Sequence, residues 1–142
     1  MEILGFDYPD DAWFLLEEDV WCRPAEDGSL AVGVTAFGIH LAGDFYMCRP
    51  KAAGTELAQG EPVAVAELSK SVVAIRSPVS GRVVEANPLL AEAPELVHRE
   101  PYGRGWLARI APSRWERDRA RLAHGEALRA AAVARMRAAD AG

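Results

Sequence analysis

Lys70 is the residue whose type and setting most suggest covalent chemistry in this chain. It stands in a polar cluster with Glu67, Ser69 and Ser71, in the middle of a run from Pro62 to Pro78 that is rich in Val, Ala and Ile. A lysine amine can carry an acyl group through an amide bond, and the amide removes its positive charge. A lone lysine is more commonly a solvated charge on a loop, so the surrounding pattern has to decide between the two.

The run around Lys70 predicts a hairpin of two antiparallel strands. Its Val, Ile and Ala residues suit β-strands, and the segment between the two prolines contains no glycine. A single strand over this stretch would be about three times the usual ~5–6 residues, so we expect a break near the middle. We therefore predict strands over residues 62–68 and 71–77 with Lys70 at the tip, although Ser-Lys is not a pair that favours a primed turn.

The spacing of further motifs resembles the H protein of the glycine cleavage system. That family has an E-S-V-K-A hairpin segment followed, eight residues after the lysine, by P-V-S-G. Here Glu67-Leu68-Ser69-Lys70-Ser71 is followed at the same spacing by Pro78-Val79-Ser80-Gly81. Further landmarks occur in the same order over about residues 8–112: Trp21, Gly33-Val34-Thr35, Gly43, Gly60-Glu61-Pro62, Val84-Glu85-Ala86-Asn87, Pro94-Glu95-Leu96-Val97 and Pro101-Tyr102-Gly103-Arg104-Gly105-Trp106.

The resemblance implies that Lys70 bears lipoate through an amide bond and that the chain is a cofactor carrier and not an enzyme. The dithiolane of such an arm accepts two electrons and a chemical group, and is passed between partner enzymes. The implied partners are a lipoate ligase or lipoyl transferase, and dihydrolipoamide dehydrogenase. Glu67, with Ser69 and Ser71 on the hairpin, would be recognised by the ligase. A structural role for Glu67 in pairing across the hairpin is the alternative.

Three positions depart from the glycine cleavage pattern. Where that family places polar or acidic groups around the cationic aminomethylated arm, this chain has Val20, Val73 and Ala74. These side chains offer no hydrogen-bond acceptors, so an arm cleft made from them would suit a neutral or sulfur-bearing cargo better. With Cys48-Arg49-Pro50-Lys51, the pattern resembles a branch of H-like lipoate-binding proteins that serves sulfur oxidation beside a heterodisulfide-reductase-like complex. We predict that branch, with the H protein of the glycine cleavage system and its enzymes as the alternative.

Other classes of function fit the sequence less well. A biotin carrier would place its lysine between methionines, where this chain has Ser69 and Ser71. An interaction paralogue in which Lys70 stays unmodified remains open. An independent enzyme is disfavoured, because the chain shows no nucleophile, base and acid set and Gly103-Arg104-Gly105 lacks the third glycine of a dinucleotide loop.

The net charge and its distribution along the chain limit the kinds of partner that the protein can bind. The net charge is −5, yet residues 113–142 hold seven arginines and four acidic residues, so the remainder carries −8. An acidic body repels nucleic acid and is attracted to basic protein surfaces. No apolar run approaches ~18 residues, and the N-terminus resembles neither a signal nor a transit peptide, so we expect no membrane segment and a cytoplasmic location.

The cysteines and histidines indicate neither disulfides nor a metal. Cys22 and Cys48 are too few for a disulfide framework and lie in strand-like apolar segments, which predicts buried free thiols. No metal site is predicted, since the three histidines show no ligand spacing: His40, His98 and His124.

Many short strands separated by turns predict a mainly β fold. We expect a small two-sheet sandwich or barrel-sandwich hybrid, like a lipoyl domain, with short flanking helices and a C-terminal helix. The predicted helices cover 12–16, after an acidic start, then 36–41, capped by Thr35, and one turn at 94–97. The predicted strands outside the hairpin cover 20–23, 30–34, 45–48, 82–86 and 106–110.

Residues 113–142 differ in composition from the rest of the chain. They are rich in Ala and Arg and contain no proline, which predicts a helix that Ser113 caps. Gly125 is its weak point, and its apolar face is thin. We therefore predict two domains: the lipoyl domain over 1–112, and a helical extension over 113–142 that packs partly on it. Deleting the extension should cost about 1–2 kcal/mol.

Overall fold

The computed structural model describes residues 1–141 and confirms the mainly β fold. Two sheets face each other around one core, and short helices and a C-terminal helix flank them. The described strands are β1 (Glu2–Ile3), β2 (Phe6–Asp7), β3 (Trp13–Leu15), β4 (Val20–Pro24), β5 (Leu30–Val34), β6 (Met47–Pro50), β7 (Glu56–Leu57), β8 (Pro62–Glu67), β9 (Val72–Arg76), β10 (Gly81–Ala86) and β11 (Ala108–Pro112).

The helices are short except for the last one. The α-helices in the described part are α1 (Ala36–Ala42), α2 (Leu96–Arg99), α3 (Trp115–Asp118) and α4 (Leu128–Ala141). Single 3₁₀ turns lie at Leu16–Glu18, Arg119–Arg121 and Gly125–Ala127. No helix within residues 1–141 has the length and apolar character needed to cross a bilayer.

Of the two sheets that form the sandwich, the larger has six strands in the order β3-β4-β5-β11-β10-β7, and the smaller has three in the order β6-β8-β9; β1 and β2 form a separate two-stranded sheet. Every pairing between neighbouring strands is antiparallel. Side chains from both sheets meet in one hydrophobic cluster, with Val32 and Ile110 from the larger sheet and Ala64, Ala66 and Ile75 from the smaller. This arrangement is the predicted two-sheet sandwich.

Several of the landmark residues named above pack around Trp21. Its indole Nε1 donates hydrogen bonds to the carbonyls of Val34 and Pro101, both at 3.1 Å. A Cβ placed on Gly33 would lie only 2.6 Å from the indole ring, so a larger residue there would displace Trp21. Trp21 on β4 therefore packs against Gly33 on β5 and is held by the segment at Pro101 that follows α2.

The predicted helix over 12–16 is wrong. Residues Trp13–Leu15 form β3, which pairs with β4 so that Trp13 lies opposite Cys22 and Leu15 opposite Val20. The acidic residues before this segment do resemble a helix start. Pairing with β4, together with the burial of Phe14 and Leu15, outweighs that local signal.

Three other elements lie about two residues further along the chain than predicted. The strand predicted at 45–48 is β6 (Met47–Pro50), since the Phe45 amide donates to His98 Nδ1 at 2.9 Å instead of joining the sheet. The strand predicted at 106–110 is β11 (Ala108–Pro112), and the helical turn at 94–97 is α2 (Leu96–Arg99). The strands predicted at 20–23, 30–34 and 82–86 are confirmed, and Thr35 caps α1 by accepting from the Gly38 amide at 3.0 Å.

The C-terminal segment is not one continuous helix. It contains α3 and α4 with an irregular stretch between them, where Gly125 has a φ of 68°. The predicted Ser113 cap is wrong: Arg114 occupies the N-cap position of α3 and makes no side-chain cap bond. Leu128, Ala132 and Met136 of α4 are buried in a second hydrophobic cluster. Its other buried members come from the N-terminal segment, β4 and α1: Ile3, Tyr8, Ala12, Phe14, Trp21 and Phe37. The division into domains at residue 112 stays a prediction about independent folding.

Candidate functional site

Lys70 lies at the tip of the hairpin formed by β8 and β9. The last pair of strand residues is Glu67 and Val72, and the Leu68 amide donates to the Ser71 carbonyl at 2.8 Å to close the tip. Ser69, Lys70 and Ser71 are all exposed. Among residues 1–141, no carboxylate lies within ion-pair distance of Lys70. Its amine is therefore presented to solvent on a short, defined turn.

The strands of the hairpin are anchored by side chains that pack into the hydrophobic core. β8 is the central strand of its sheet, with hydrogen-bonded neighbours on both sides. Ala64 and Ala66 of β8 and Ile75 of β9 point into the first hydrophobic cluster and are buried. Buried apolar side chains on one face and a ladder on each edge of β8 restrict its movement. The lysine thus stands on a rigid support and not on a mobile loop.

The turn after the hairpin is fixed by glycine packing and by buried hydrogen bonds. A Cβ on Gly81 would lie 2.1 Å from the Ala111 carbonyl oxygen, and its φ is 155°, which side-chain-bearing residues rarely adopt. Ser77 Oγ donates to the Val79 carbonyl at 2.7 Å, and Val79 is fully buried. The Pro78-Val79-Ser80-Gly81 segment is thus a packed corner between β9 and β10.

Asp118 of α3 secures this corner from the C-terminal segment. Its carboxylate is fully buried and accepts from the Ser80 amide at 2.7 Å and from the Arg117 guanidinium at 3.2 Å. Gln59 joins the same contact, because its Nε2 donates to the carbonyls of Pro78 and Asp118. Sequence reasoning missed Asp118, since one acidic residue in an arginine-rich helix carries no signal of burial.

Glu67 points outward from the sheet. Its backbone pairs with Met47 on one side and Val72 on the other, and its carboxylate is exposed. Within the described chain, no hydrogen bond or ion pair of the Glu67 side chain holds the hairpin together. Its side chain is free for recognition, as are those of Ser69 and Ser71 on the same tip.

Val20, Val73 and Ala74 do not form the open cleft that the sequence suggested. Val20 on β4 is only 1% exposed and is part of the first cluster, so its side chain cannot line a surface groove. Val73 is partly buried against that cluster, whereas Ala74 is exposed on the opposite face of β9. The alternation of side chains along a strand separates the two neighbours. The structure therefore brings none of the three together on one surface.

Other chemical groups in the described residues are buried or lie away from the Lys70 tip. Cys22 and Cys48 are buried free thiols, as predicted, and burial raises the pKa of each to about 12. No group of three or more His, Cys, Asp or Glu side chains in the described part of the chain could hold a metal ion. A large groove of about 760 Å³ lies between α4 and the 3₁₀ turn at Leu16–Glu18, and none of its lining residues belongs to the hairpin.

Comparison with known proteins gives a consistent result. A family model described as "Glycine cleavage H-protein" matches residues 14–134. "Glycine cleavage system H protein 2" of Aquifex aeolicus is 38% identical over 125 residues, which are 88% of this chain and 78% of that protein. "Glycine cleavage system H protein" of Halorhodospira halophila is 37% identical over 105 residues, which are 74% of this chain and 80% of that protein.

The fold is also similar to that of a solved H protein. The crystal structure of a glycine cleavage system H protein from Mycobacterium marinum matches with a TM-score of 0.69 at 28% identity, covering 87% of this chain and 94% of the other. The span matched by the family model includes both the Lys70 hairpin and the corner that Asp118 secures. By sequence and by fold, the chain belongs to the glycine cleavage H-protein family.

Proposed function

We propose that this protein is a lipoyl-lysine carrier of the glycine cleavage system, with lipoate attached through an amide to Lys70. The observation that supports this most directly is the exposed lysine at the tip of a hairpin whose inner face is buried. Family membership supports the glycine cleavage assignment over the sulfur-oxidation branch, because the family model and the relatives described above are named for glycine cleavage.

Lys70 is better placed for the attachment of lipoate than Lys51, the other lysine of the sequence. Lys51 follows β6, and its amide donates to the Val63 carbonyl at 2.8 Å, so its backbone continues the sheet. A lysine beside a sheet offers an enzyme less access than one at a turn that projects from the sheet's end. The exposed Ser69 and Ser71 on either side of Lys70 are small enough to leave its amine accessible.

The bound lipoate would supply reversible dithiol–disulfide chemistry and carry a chemical group between enzymes. Attachment joins Nζ of Lys70 to the lipoyl carbonyl carbon as the bond from that carbon to its activating group breaks. The ammonium nitrogen loses two protons in forming the neutral amide, and the formal charge falls from −5 to −6. The hairpin's task is to hold the attachment point, while Glu67 and the tip serines mark it for the ligase. The chain then acts as a substrate shared by glycine cleavage enzymes and dihydrolipoamide dehydrogenase, and not as a catalyst.

A sulfur-bearing cargo is the second candidate function. It rests on the apolar residues Val73 and Ala74 near the hairpin, where the glycine cleavage pattern has polar ones. The third residue of that argument, Val20, is buried and does not reach the surface. Two exposed or half-exposed positions remain, which is less support than the family comparison gives the glycine cleavage role.

Intact mass spectrometry with a lipoate ligase, lipoate and ATP tests the assignment. We expect one lipoyl group on the wild type, none on Lys70→Arg, and one on the matched control Lys51→Arg. The lipoylated protein is then mixed with glycine decarboxylase and its partner enzymes, and we expect glycine–bicarbonate exchange that depends on Lys70.

Two results would count against the proposal in different ways. An adduct on Lys51, or none with any ligase, would remove the attachment site. Full lipoylation and reduction by dihydrolipoamide dehydrogenase, but no glycine–bicarbonate exchange beside an authentic H protein, would favour the sulfur carrier.

A further inference from the structure

The outer surface of the small sheet adjoins Lys70 and has no partner within the described chain. Alternation along β6, β8 and β9 turns every second side chain away from the core. The register places Met47, Glu67 and Val72 in one row, and Arg49, Val65 and Ala74 in the next. We call this surface the hairpin face, made up of Met47, Arg49, Lys51, Val65, Glu67, Val72 and Ala74.

The hairpin face has an apolar part next to the tip. Val72 is 65% exposed, and Tyr46 at the same end of the sheet is 59% exposed. Met47 and Val65 line a shallow groove of about 410 Å³, which continues over the stems of Arg49 and Lys51. Apolar side chains that stay exposed together commonly mark a protein interaction site.

The same face has cations without partners. Most arginines elsewhere in the described chain are paired, among them Arg82 with Glu56, Arg104 with Glu100, and Arg135 with Asp19. Arg49 and Lys51 have no carboxylate within 4.0 Å in residues 1–141, and neither does Lys70. Glu67 is the acidic residue of this face. A basic face on a chain of net charge −5 is a local reversal of the overall charge.

We propose that the hairpin face docks an acidic surface of the enzyme that attaches lipoate to Lys70. This inference rests on the proposed function. An attaching enzyme has to bring its reactive centre to Nζ itself, so its surface must cover the sheet beside the tip. Enzymes that act on the finished arm meet the dithiolane at its far end and do not need to reach Nζ.

The charge of the hairpin face favours binding of the unmodified protein over the lipoylated product. Opposite charges steer two proteins together, and the attraction weakens as salt screens it. Before modification, Arg49, Lys51 and Glu67 of the hairpin face lie next to the charged Lys70 at the tip. Amide formation removes the Lys70 charge, so the product is attracted less strongly than the substrate and the enzyme releases it more readily.

A charge-reversal comparison tests the docking face. The test variant is Arg49→Glu with Lys51→Glu. The matched control is Arg114→Glu with Arg137→Glu, two exposed arginines of the C-terminal segment outside any ion pair of the described chain. Both variants change the net charge equally. Circular dichroism and thermal melts establish that both are folded, and kcat/KM for lipoylation of each is then measured with a ligase that modifies the wild type.

For the hairpin-face variant we expect kcat/KM to fall about tenfold at low salt, mainly through KM, with a smaller deficit at high salt. The control should stay within about twofold of the wild type. Equal losses in the two variants, or no loss in either, would overturn the docking face. If the wild type itself is not lipoylated by any ligase, the proposed function fails instead, so the two failures are distinguishable.

Discussion

At the scale of single residues, Asp118 shows how a buried carboxylate can replace a missing backbone partner. The Ser80 amide lies in a corner where no strand neighbour is available, and the Asp118 carboxylate accepts its hydrogen bond. Arg117 and the amide together compensate the charge. A charge-assisted bond of this kind is stronger than a neutral one, and losing it leaves a buried donor unsatisfied.

We expect Asp118→Ala to destabilise the fold by about 2–3 kcal/mol, because it removes the acceptor for a buried amide. Asp118→Asn keeps an oxygen in place and should cost less. Urea denaturation measures both, and amide hydrogen exchange at Ser80 should accelerate in the alanine variant. Glu116→Ala, an exposed neighbour in α3, is the control. If it costs as much as Asp118→Ala, the corner does not depend on this bond.

At the scale of elements, the hairpin and the presence of a C-terminal helix could be predicted, but the firm burial of α4 could not. The β8–β9 hairpin has a composition and a break that follow from local preferences, and its observed strands lie within one residue of those predicted. The buried face of α4 consists of Leu128, Ala132 and Met136. One of these three is alanine, and alanine looks the same on a buried or an exposed face. Its burial depends on contacts with the N-terminal segment, which no local pattern reveals.

Met136→Ala should cost about 2–4 kcal/mol, since Met136 is only 5% exposed and a cavity would form against the second cluster. The exposed neighbour Arg137→Ala should change stability by less than about 0.5 kcal/mol. Thermal melts compare the two. A loss for Met136→Ala no larger than that for Arg137→Ala would show that α4 contributes little, as the sequence had suggested. A large loss would indicate that residues 113–142 do not behave as a separable domain.

At the scale of the whole molecule, stability should fall in alkali. Desolvation raises the pKa of buried Tyr8 from 10.0 to about 12, and those of Cys22 and Cys48 from 9.0 to about 12. The folded state favours the neutral form of each group. The stability they contribute is therefore complete below the pKa values of the unfolded chain and is lost as pH rises through those of the folded one.

We expect the free energy of unfolding to decline from about pH 9 towards pH 12. Tyr8→Phe should flatten the decline above about pH 10, because phenylalanine has no proton to lose. Tyr46→Phe, at an exposed tyrosine, is the matched control. Denaturant titrations across this range provide the measurement. An identical slope in Tyr8→Phe and the wild type would contradict the account.

Some features of the whole molecule follow from the sequence alone, and others depend on pairing between distant segments. Strand content, the two-sheet fold and the position of Lys70 at a tip follow from composition and motif spacing. The sequence predicts a helix at Trp13–Leu15, but pairing with β4 fixes the conformation of this segment more strongly than its own residues do. Val20 was assigned to a cleft because spacing along the chain does not tell which face of a strand is buried.

The burial of Cys22 and Cys48 decides whether either thiol could exchange with a dithiol arm on Lys70. A dithiol arm that cycles on Lys70 would meet any accessible thiolate as a competitor, and mixed disulfides would trap it. Both sulfurs are inside the sandwich, and their raised pKa keeps them protonated near neutral pH. A thiol that is neutral and out of reach cannot attack a disulfide. If Lys70 carries lipoate, neither cysteine would exchange with the dithiol arm, and its electrons would pass to a partner enzyme and not to the protein that bears it.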